Sequence, residues 1–128
     1  MSPIRMSRPE SAIRIVLSFN EFFNRRDVEE MVRLLSEDCV IEDSGPGPDG
    51  NRYAGRAAVK EYFENRFDRF PGLTHEIEEV FGFGARCVVL WKRGWRGNDG
   101  KNEYVRGADM YQVKNDAICE ILSYTKGG

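Results

Sequence analysis

The stretch Val40-Ile41-Glu42-Asp43-Ser44-Gly45-Pro46-Gly47-Pro48 determines how the rest of the chain is organised. Its apolar start is typical of a strand, Cys39–Asp43, and its glycines and prolines predict a loop that ends the strand. On the period of a strand, Ile41 and Asp43 point to one side, opposite Glu42. A carboxylate on the same side as an isoleucine lies either at the rim of a sheet or in a pocket. A solvated strand end is the alternative for this segment alone.

Helical patterns surround this strand. A first helix is predicted from a capping box at Ser7–Glu10 to about Arg25, after a loose lead-in at residues 1–6. A second short helix begins at the cap Asp27. A third helix opens after Gly55 and is stopped by a Pro-Gly pair.

Beyond this third helix the chain becomes extended. Glycines and an Asn-Asp pair separate the extended segments and suit hairpin turns. Helices followed by an antiparallel meander predict one α+β domain over residues 1–128, a cone in which a curled mixed or antiparallel sheet and three helices enclose a pocket. The four segments are about Leu73–Phe83, Arg86–Arg96, Lys101–Lys114 and Ala117–Thr125.

The bulk properties exclude several classes of function. The net charge of −2 gives no electrostatic footprint for nucleic acid. No apolar run is long enough to cross a bilayer, and the first residues do not resemble a signal peptide. Three cysteines without framework spacing predict reduced core thiols and a cytoplasmic protein. The one histidine, His75, is expected on a strand surface, and no metal site is expected.

A second unusual carboxylate, Asp109, lies in the middle of a predicted strand. On the strand period it shares a mostly apolar face with Val105, Gly107, Tyr111 and Val113. Aspartate is disfavoured inside strands, so its presence needs a reason. A structural aspartate that bonds a backbone amide or faces an arginine is the alternative to a functional one.

Aromatic and basic residues alternate along the strand that carries Trp91, Arg93 and Trp95, with Tyr104 and Arg106 roughly opposite. This pattern is compatible with a cation–π wall that recognises a planar or anionic ligand. It is equally compatible with the outer face of the sheet, half-exposed or buried in a homodimer. Exposed aromatic residues in such number indicate an interface, so we expect a homodimer in either case.

The order of these segments resembles the nuclear-transport-factor-2-like superfamily over about residues 10–126, and within it most closely the SnoaL-like polyketide cyclases and ketosteroid isomerases. The segments that carry the resemblance are Asn24–Asp27, Cys39–Asp43, Gly55–Phe63 and Gly107–Val113. The resemblance implies the cone fold and a small-molecule ligand. It does not fix the chemistry, because this fold hosts many functions.

The resemblance also implies roles for the two carboxylates. It places Asp43 at the position of the general base of ketosteroid isomerases, and Asp109 at the position of a protonated acid that donates to a developing oxyanion. Two charged carboxylates in one apolar cavity repel each other. One carboxyl therefore stays protonated and can donate a hydrogen bond, while the other is ionised and can accept a proton. The chain departs from the isomerases at Phe19, Leu35 and Phe63, which replace tyrosines and donate no hydrogen bond.

Other residues remain as donors and as pocket lining. Tyr62, Tyr111 and Trp91 are candidate substitute donors. Limonene-epoxide hydrolases are a poorer match, because Gly107 stands where they carry an arginine and Arg106 falls on the opposite face. The expected substrate pocket is lined by Phe19, Phe22, Tyr62, Trp91, Tyr111 and Ser123.

The sequence therefore predicts an acid–base enzyme of the SnoaL-like type, without a cofactor or metal. It would perform isomerisation, cyclisation or proton transfer on a small hydrophobic carbonyl compound, with Asp43 as the base and Asp109 as the donor. The alternative is a non-catalytic module of the same fold that binds a small molecule or dimerises.

Overall fold

The computed structural model of the chain describes residues 8–126, with side chains from residue 11 onward. The predicted Ser7–Glu10 capping box lies outside the side chains described. The helices are α1 (Arg8–Asn24), α2 (Val28–Arg33) and α3 (Arg56–Arg69). The strands are β1 (Leu35–Glu42), β2 (Arg52–Ala54), β3 (Thr74–Phe83), β4 (Arg86–Arg96), β5 (Asn102–Lys114) and β6 (Ala117–Thr125).

The six strands form one mixed sheet in the order β2-β1-β6-β5-β4-β3. Strand β1 runs parallel to β6 and antiparallel to β2, and the strands from β3 to β6 form an antiparallel meander. The sheet is curled and does not close into a barrel. The α+β cone with three helices, predicted from the sequence, is confirmed.

Local chemistry explains where α2 begins and where β1 starts. The side chain of Asp27 accepts a hydrogen bond from the Glu30 amide at 3.2 Å, so the predicted N-cap is present. Leu34 already caps the C-terminus of this helix, and Leu35 is the first residue of β1. Strand β1 therefore begins four residues before the predicted Cys39, because α2 ends after less than two turns.

The core lies between the helices and the concave face of the sheet. Phe19, Phe23 and Phe63 are buried and meet edge to face, with Phe19 and Phe63 ring centroids 5.6 Å apart and Phe23 and Phe63 centroids 6.1 Å apart. Burying an aromatic side chain of this size contributes about 1.5–3 kcal/mol. Leu17 of α1 is 40% exposed.

The three cysteines are free thiols. Cys39 and Cys87 are buried, and burial raises the pKa of Cys39 to about 12 and that of Cys87 to about 11. Cys119 is half-buried. Thiols with such high pKa values are poor nucleophiles at neutral pH, so Cys39 and Cys87 are packing residues.

Within the described residues, no helix is both long and apolar enough to span a membrane.

Candidate functional site

A cavity of about 840 Å³ lies between the concave face of the sheet and helices α1 and α3. Its walls combine aromatic rings with a few charged side chains, which is the usual composition of a small-molecule site. Both carboxylates line it, together with four of the six side chains expected to form the pocket. These residues are Asp43, Asp109, Phe19, Tyr62, Tyr111 and Ser123.

Two expected pocket residues do not line the cavity. Phe22 is half-buried at the side of α1, because the 3.6-residue period turns Phe19 and Phe23 inward instead. Trp91 is fully buried within the wall. Its indole covers Gly107, where an added Cβ would lie 2.5 Å from the ring, so the missing side chain at position 107 makes room for it.

The backbone of its own loop holds Asp43, which is 7% exposed at the end of β1. Its Oδ1 accepts hydrogen bonds from the amides of Gly45 at 2.9 Å and Asn51 at 3.1 Å. The Asp43 amide in turn donates to the Asn51 carbonyl at 3.0 Å. Gly50 closes the loop at φ +69°, and a side chain there would collide with the Asp43 carbonyl.

The other carboxylate oxygen of Asp43 is paired with an arginine from α3. Arg66 Nη2 lies 2.9 Å from Asp43 Oδ2, and Arg66 Nε donates to the Tyr62 hydroxyl at 3.0 Å. The guanidinium also lies over the rings of Tyr62 and Phe70. Of the about four acceptor positions of a carboxylate, Asp43 therefore uses three.

Asp109 has a different environment. It is 4% exposed, and its Oδ2 accepts a hydrogen bond from the Tyr111 hydroxyl at 3.3 Å. Its Oδ1 has no hydrogen-bond partner among the described residues. Burial and the neighbouring Asp109 raise the pKa of Tyr111 well above its usual value, so this phenol stays neutral and remains a donor.

An arginine from the adjacent strand completes this part of the wall. Arg93 Nη2 lies 3.8 Å from Asp109 Oδ2, and the guanidinium carbon lies 4.0 Å from the centre of the Trp91 ring. Its Nε is buried without a hydrogen-bond partner among the described residues. The cation–π wall predicted for Trp91 and Arg93 therefore exists, on the concave face, and Trp95 lines the same cavity.

His75 lies beside Arg93 and not on the surface, so its predicted surface position was wrong. It is 4% exposed and its ring packs edge to face against Phe23 and Trp91. Burial, and secondarily the charge of Arg93, lower its pKa well below the usual value, which keeps the imidazole neutral. Its position between Leu73 and Ile77 on the strand period was the available sequence signal.

The outer face of the sheet carries the other part of the predicted aromatic wall. Tyr104 is 56% exposed, and Arg106 is paired with Glu78 at 3.0 Å. Both stand opposite outward-facing residues of β4, in the pairs Gly94–Tyr104 and Lys92–Arg106. The sequence alternation correctly separated Arg106 from Gly107, but Tyr104 and Arg106 do not share a face with Trp91.

The two carboxylates belong to one row across the concave face. Asp109 on β5 pairs with Ser123 on β6. On the other side of β6, Glu42 of β1 pairs with Leu122, so the next residue, Asp43, lies beside Ser123. Two strand spacings separate the backbones of Asp43 and Asp109, which is about 10 Å. Ser44 fixes this arrangement by donating to the Ser123 carbonyl at 2.9 Å.

Sequence analysis did not identify Arg66. It lies four residues after Tyr62 on α3, so both share a side of the helix, and this spacing was the signal available. Among the described residues, no group of three or more His, Cys, Asp or Glu side chains is placed to hold a metal ion.

Solved structures of other proteins share this fold. A solved NTF2-like protein of unknown function from Mesorhizobium loti is 34% identical, with 94% of each chain covered and a TM-score of 0.79. A Mycobacterium tuberculosis protein, solved in complex with estradiol-17beta-hemisuccinate, is 25% identical, with 89% of this chain and 92% of that chain covered and a TM-score of 0.77. A candidate polyketide cyclase from Xanthomonas campestris pv. campestris is 20% identical, with 92% of each chain covered and a TM-score of 0.74, and shares the fold.

The comparison with curated proteins gave no match. The family model that describes the SnoaL-like domain matches residues 16–121. This match covers most of the chain and confirms the resemblance inferred from the sequence. The chain therefore belongs to the SnoaL-like domain family.

Proposed function

We propose that the cavity binds a small, largely apolar carbonyl compound and catalyses proton transfer at the carbon next to its carbonyl group. The observation that carries this proposal is the pair of buried carboxyls, Asp43 and Asp109, in the wall of one cavity of about 840 Å³. The steroid conjugate bound by the Mycobacterium tuberculosis relative supports a ligand of this kind.

The environments of the two carboxyls favour Asp109 as the proton acceptor. Asp109 accepts one hydrogen bond from the described residues, whereas Asp43 already accepts three. A base must offer a free lone pair to the proton that it takes. Tyr111 donates its one hydroxyl proton to Asp109, and the guanidinium of Arg93 lies next to Asp109 as a donor for the oxygen that becomes an enolate.

The assignment implied by the ketosteroid isomerases is the reverse, with Asp43 as base and Asp109 as protonated donor. In that arrangement Asp43 would use its one remaining acceptor position, and a protonated Asp109 would donate to the enolate oxygen. Both assignments give the same overall exchange of a proton at the α-carbon. The variants described next distinguish them.

The experiment is the exchange of the C1 protons of 2-tetralone for deuterium, followed by NMR in deuterated buffer. We expect the protein to accelerate the exchange, and Asp109→Asn to lower the accelerated rate by at least about 100-fold. Asp43→Asn should lower it less. A larger loss in Asp43→Asn would support the reverse assignment.

Asp68→Asn is the matched control, because Asp68 is exposed on α3 and does not line the cavity. It should exchange like the wild type. A wild-type protein that gives no more exchange than buffer contradicts the enzymatic proposal.

A second candidate function is a non-catalytic binder of the same class of ligand. The observation that favours it is the bonding of Asp43, whose contacts with Arg66 and two backbone amides are those of a structural aspartate. Ligand binding without any acceleration of exchange would support this candidate.

A further inference from the structure

The mouth of the cavity has a basic and aromatic corner at the end of helix α3, formed by Arg66, Arg69, Phe70 and Trp95. Along β4 the inward-facing side chains change from fully buried at Trp91 to half-buried at Trp95, so this strand runs from the core to the mouth. Phe70 directly follows α3, and its ring meets that of Trp95 with the centroids 5.3 Å apart. All four residues of this arginine corner line the cavity.

The two arginines of the corner share the ring of Phe70. The guanidinium carbon of Arg66 lies 5.6 Å from the ring centroid, and that of Arg69 lies 5.4 Å from it. The two residues are three positions apart in the last turn of α3, so they lie on one side of the helix. Both cations are therefore held at the same end of the cavity.

Arg66 keeps N–H groups that no described residue uses. Its Nε donates to the Tyr62 hydroxyl and its Nη2 to Asp43, which leaves Nη1 without a hydrogen bond in the described part of the chain. This nitrogen is not among the buried unpaired atoms, and the side chain is 30% exposed. Because a guanidinium carries five N–H donors, Nη1 can donate to a ligand while the pair with Asp43 stays intact.

Arg69 supplies a positive charge that has no partner in the cavity wall. Arg66 already neutralises Asp43, whereas Arg69 forms no ion pair with any residue that the structure describes. Glu61 also lines the cavity, but it lies two helical turns earlier on α3, about 12 Å along the axis. Asp68 is exposed and does not line the cavity. The arginine corner therefore favours an anionic group.

We propose that the cavity takes carbonyl compounds that also carry a carboxylate, with the carboxylate held at the mouth by Arg69 and by Nη1 of Arg66. This inference rests on the ligand-binding part of the proposed function and names its substrate class. The ketone lies deeper, on the side of Arg93 and Asp109. Arg93 and Trp95 are two residues apart on β4, about 7 Å, so a short carbon chain separates the ketone from the carboxylate.

The physical basis of the preference is the charge of the corner together with its N–H groups. Arg69 is exposed, and ion pairs of exposed groups contribute little, so we expect a modest effect from this residue. Arg66 is less exposed, and a hydrogen bond between a guanidinium and a carboxylate is stronger than one to a neutral group. A neutral amide of nearly the same shape as the carboxylate isolates this contribution.

The test compares 5-(2-naphthyl)-5-oxopentanoate with its primary amide at neutral pH. Dissociation constants are measured by ligand-observed NMR titration at low salt and again in about 0.5 M NaCl. We expect the carboxylate to bind the wild type at least about fivefold more tightly than the amide at low salt, and the difference to shrink at high salt. Equal affinities, or tighter binding of the amide, would overturn this inference alone. No binding of either ligand would also contradict the ligand-binding part of the proposed function.

Two variants assign the contacts. Arg69→Met should fold, since Arg69 is exposed, and should remove most of the preference for the carboxylate. Arg66→Lys keeps a cation for Asp43 without the second donor and should reduce the preference in part. An unchanged preference in both variants would overturn the inference.

Arg96→Met is the matched control. Arg96 is exposed, forms no ion pair within the described residues and does not line the cavity. It follows Trp95 on β4 and points to the opposite face of the sheet, so the variant removes the same charge at a nearby place. The preference should be unchanged. An equal loss in Arg69→Met and Arg96→Met would show that the general charge of this end of the molecule selects the carboxylate, and would overturn the inference.

The outcome is independent of the exchange experiment, because 2-tetralone has no carboxylate. A preference for the carboxylate without accelerated exchange supports the ligand class and contradicts the enzymatic role. Accelerated exchange of 2-tetralone without this preference supports the enzymatic role and overturns the ligand class.

Discussion

Arg66 connects helix α3 to the end of strand β1 through a single carboxylate. Its Nη2 pairs with Asp43 at 2.9 Å, and the side chains of the two residues are 30% and 6% exposed. Removing one member of a largely buried pair leaves the other charge without its partner, and this costs more than the pair itself contributes. Arg66 is therefore a structural residue first, whatever role Asp43 has in the site.

Arg66→Met should lower the free energy of unfolding by about 1–3 kcal/mol, because Asp43 would keep only its two backbone donors. Urea denaturation measures the change. Arg69→Met on the same helix is the control and should change stability by less than about 0.5 kcal/mol, since Arg69 is exposed. Equal losses in the two variants would show that the ion pair does not hold α3 in place.

His75 makes stability depend on pH. Its pKa in the folded protein is lowered well below the usual value by burial and by Arg93, so the unfolded chain binds a proton that the folded chain does not. Stability is therefore lost as pH falls through the unfolded pKa of about 6.5. The loss continues down to the lowered pKa of the folded state.

The expected free energy of unfolding is about 1.4 kcal/mol lower at a pH of about 5.5 than at about 7.5. His75→Phe should remove this difference, because the ring contacts are kept and only the proton site is lost. Asn20 and Asn24 bond the backbone of His75 and not its ring, so these bonds survive the substitution. An unchanged pH dependence in His75→Phe, measured by urea denaturation, would show that another group is responsible.

At the scale of elements, the hairpin between β5 and β6 depends on two residues in the left-handed region. Asn115 has φ +52° and Asp116 has φ +61°, as a type I′ turn requires. The Asn-Asp pair predicted this turn from the sequence. Asparagine and aspartate tolerate this conformation, but glycine adopts it at lower cost, so the second position of the turn is not occupied by its best residue.

Asp116→Gly should raise the free energy of unfolding by about 0.5–1 kcal/mol, and Asp116→Val should lower it by about 1–2 kcal/mol. Both changes are measured by urea denaturation. Lys114→Gly is the control, because Lys114 lies in β5 without a positive φ and should lose stability on the same substitution. A destabilising Asp116→Gly would mean that the aspartate side chain supports the turn.

Strands β3 to β6 were predicted within one residue at each end, because hydrophobic period and turn chemistry are both local. Strand β2 was not predicted, since three residues, Arg52–Ala54, form a strand only by pairing with β1. The parallel pairing of β1 with β6 also joins segments far apart in the chain. Pairing of this kind depends on tertiary contacts, and no single segment contains its signal.

At the scale of the molecule, the candidate site also combines features that local sequence patterns predict with features that depend on tertiary contacts. Asp43, Asp109 and Tyr111 could be assigned to one cavity because each lies inward on its own strand or strand end. The pairing of Asp43 with Arg66 could not be predicted from the sequence, since it joins β1 to α3. The position of Arg93 beside Asp109 likewise depends on the register of two neighbouring strands, which the sequence does not specify.

The homodimer expected from the sequence remains a prediction, but a different surface from the one first considered is now the candidate interface. Trp91, Arg93 and Trp95 belong to the concave face, so they cannot form the interface. The opposite face of β4, β5 and β6 carries two rows of apolar side chains, all half-buried or exposed in the single chain. The rows are Val88–Met110–Leu122 and Leu90–Ala108–Tyr124.

This outer face has the composition of an interface, with an apolar centre between polar edges. Arg86, Gln112 and Glu120 form the row on one side, where Arg86 pairs with Glu120 at 2.7 Å. Lys92 and Arg106 lie on the other side. Apolar rows between charged rows fit a second copy of this chain, because a contiguous exposed apolar surface is costly in a monomer.

Ala108→Glu should therefore weaken self-association at least about tenfold, because it buries an unpaired charge at the centre of the face. Sedimentation velocity over a range of protein concentrations measures the effect. Phe83→Glu is the control: Phe83 is 69% exposed at the β3–β4 hairpin, outside the two rows, and its substitution should leave association unchanged. A wild-type chain that stays monomeric at every concentration would show that the outer face is solvated. Dissociation in Phe83→Glu but not in Ala108→Glu would place the interface at the β3–β4 hairpin instead.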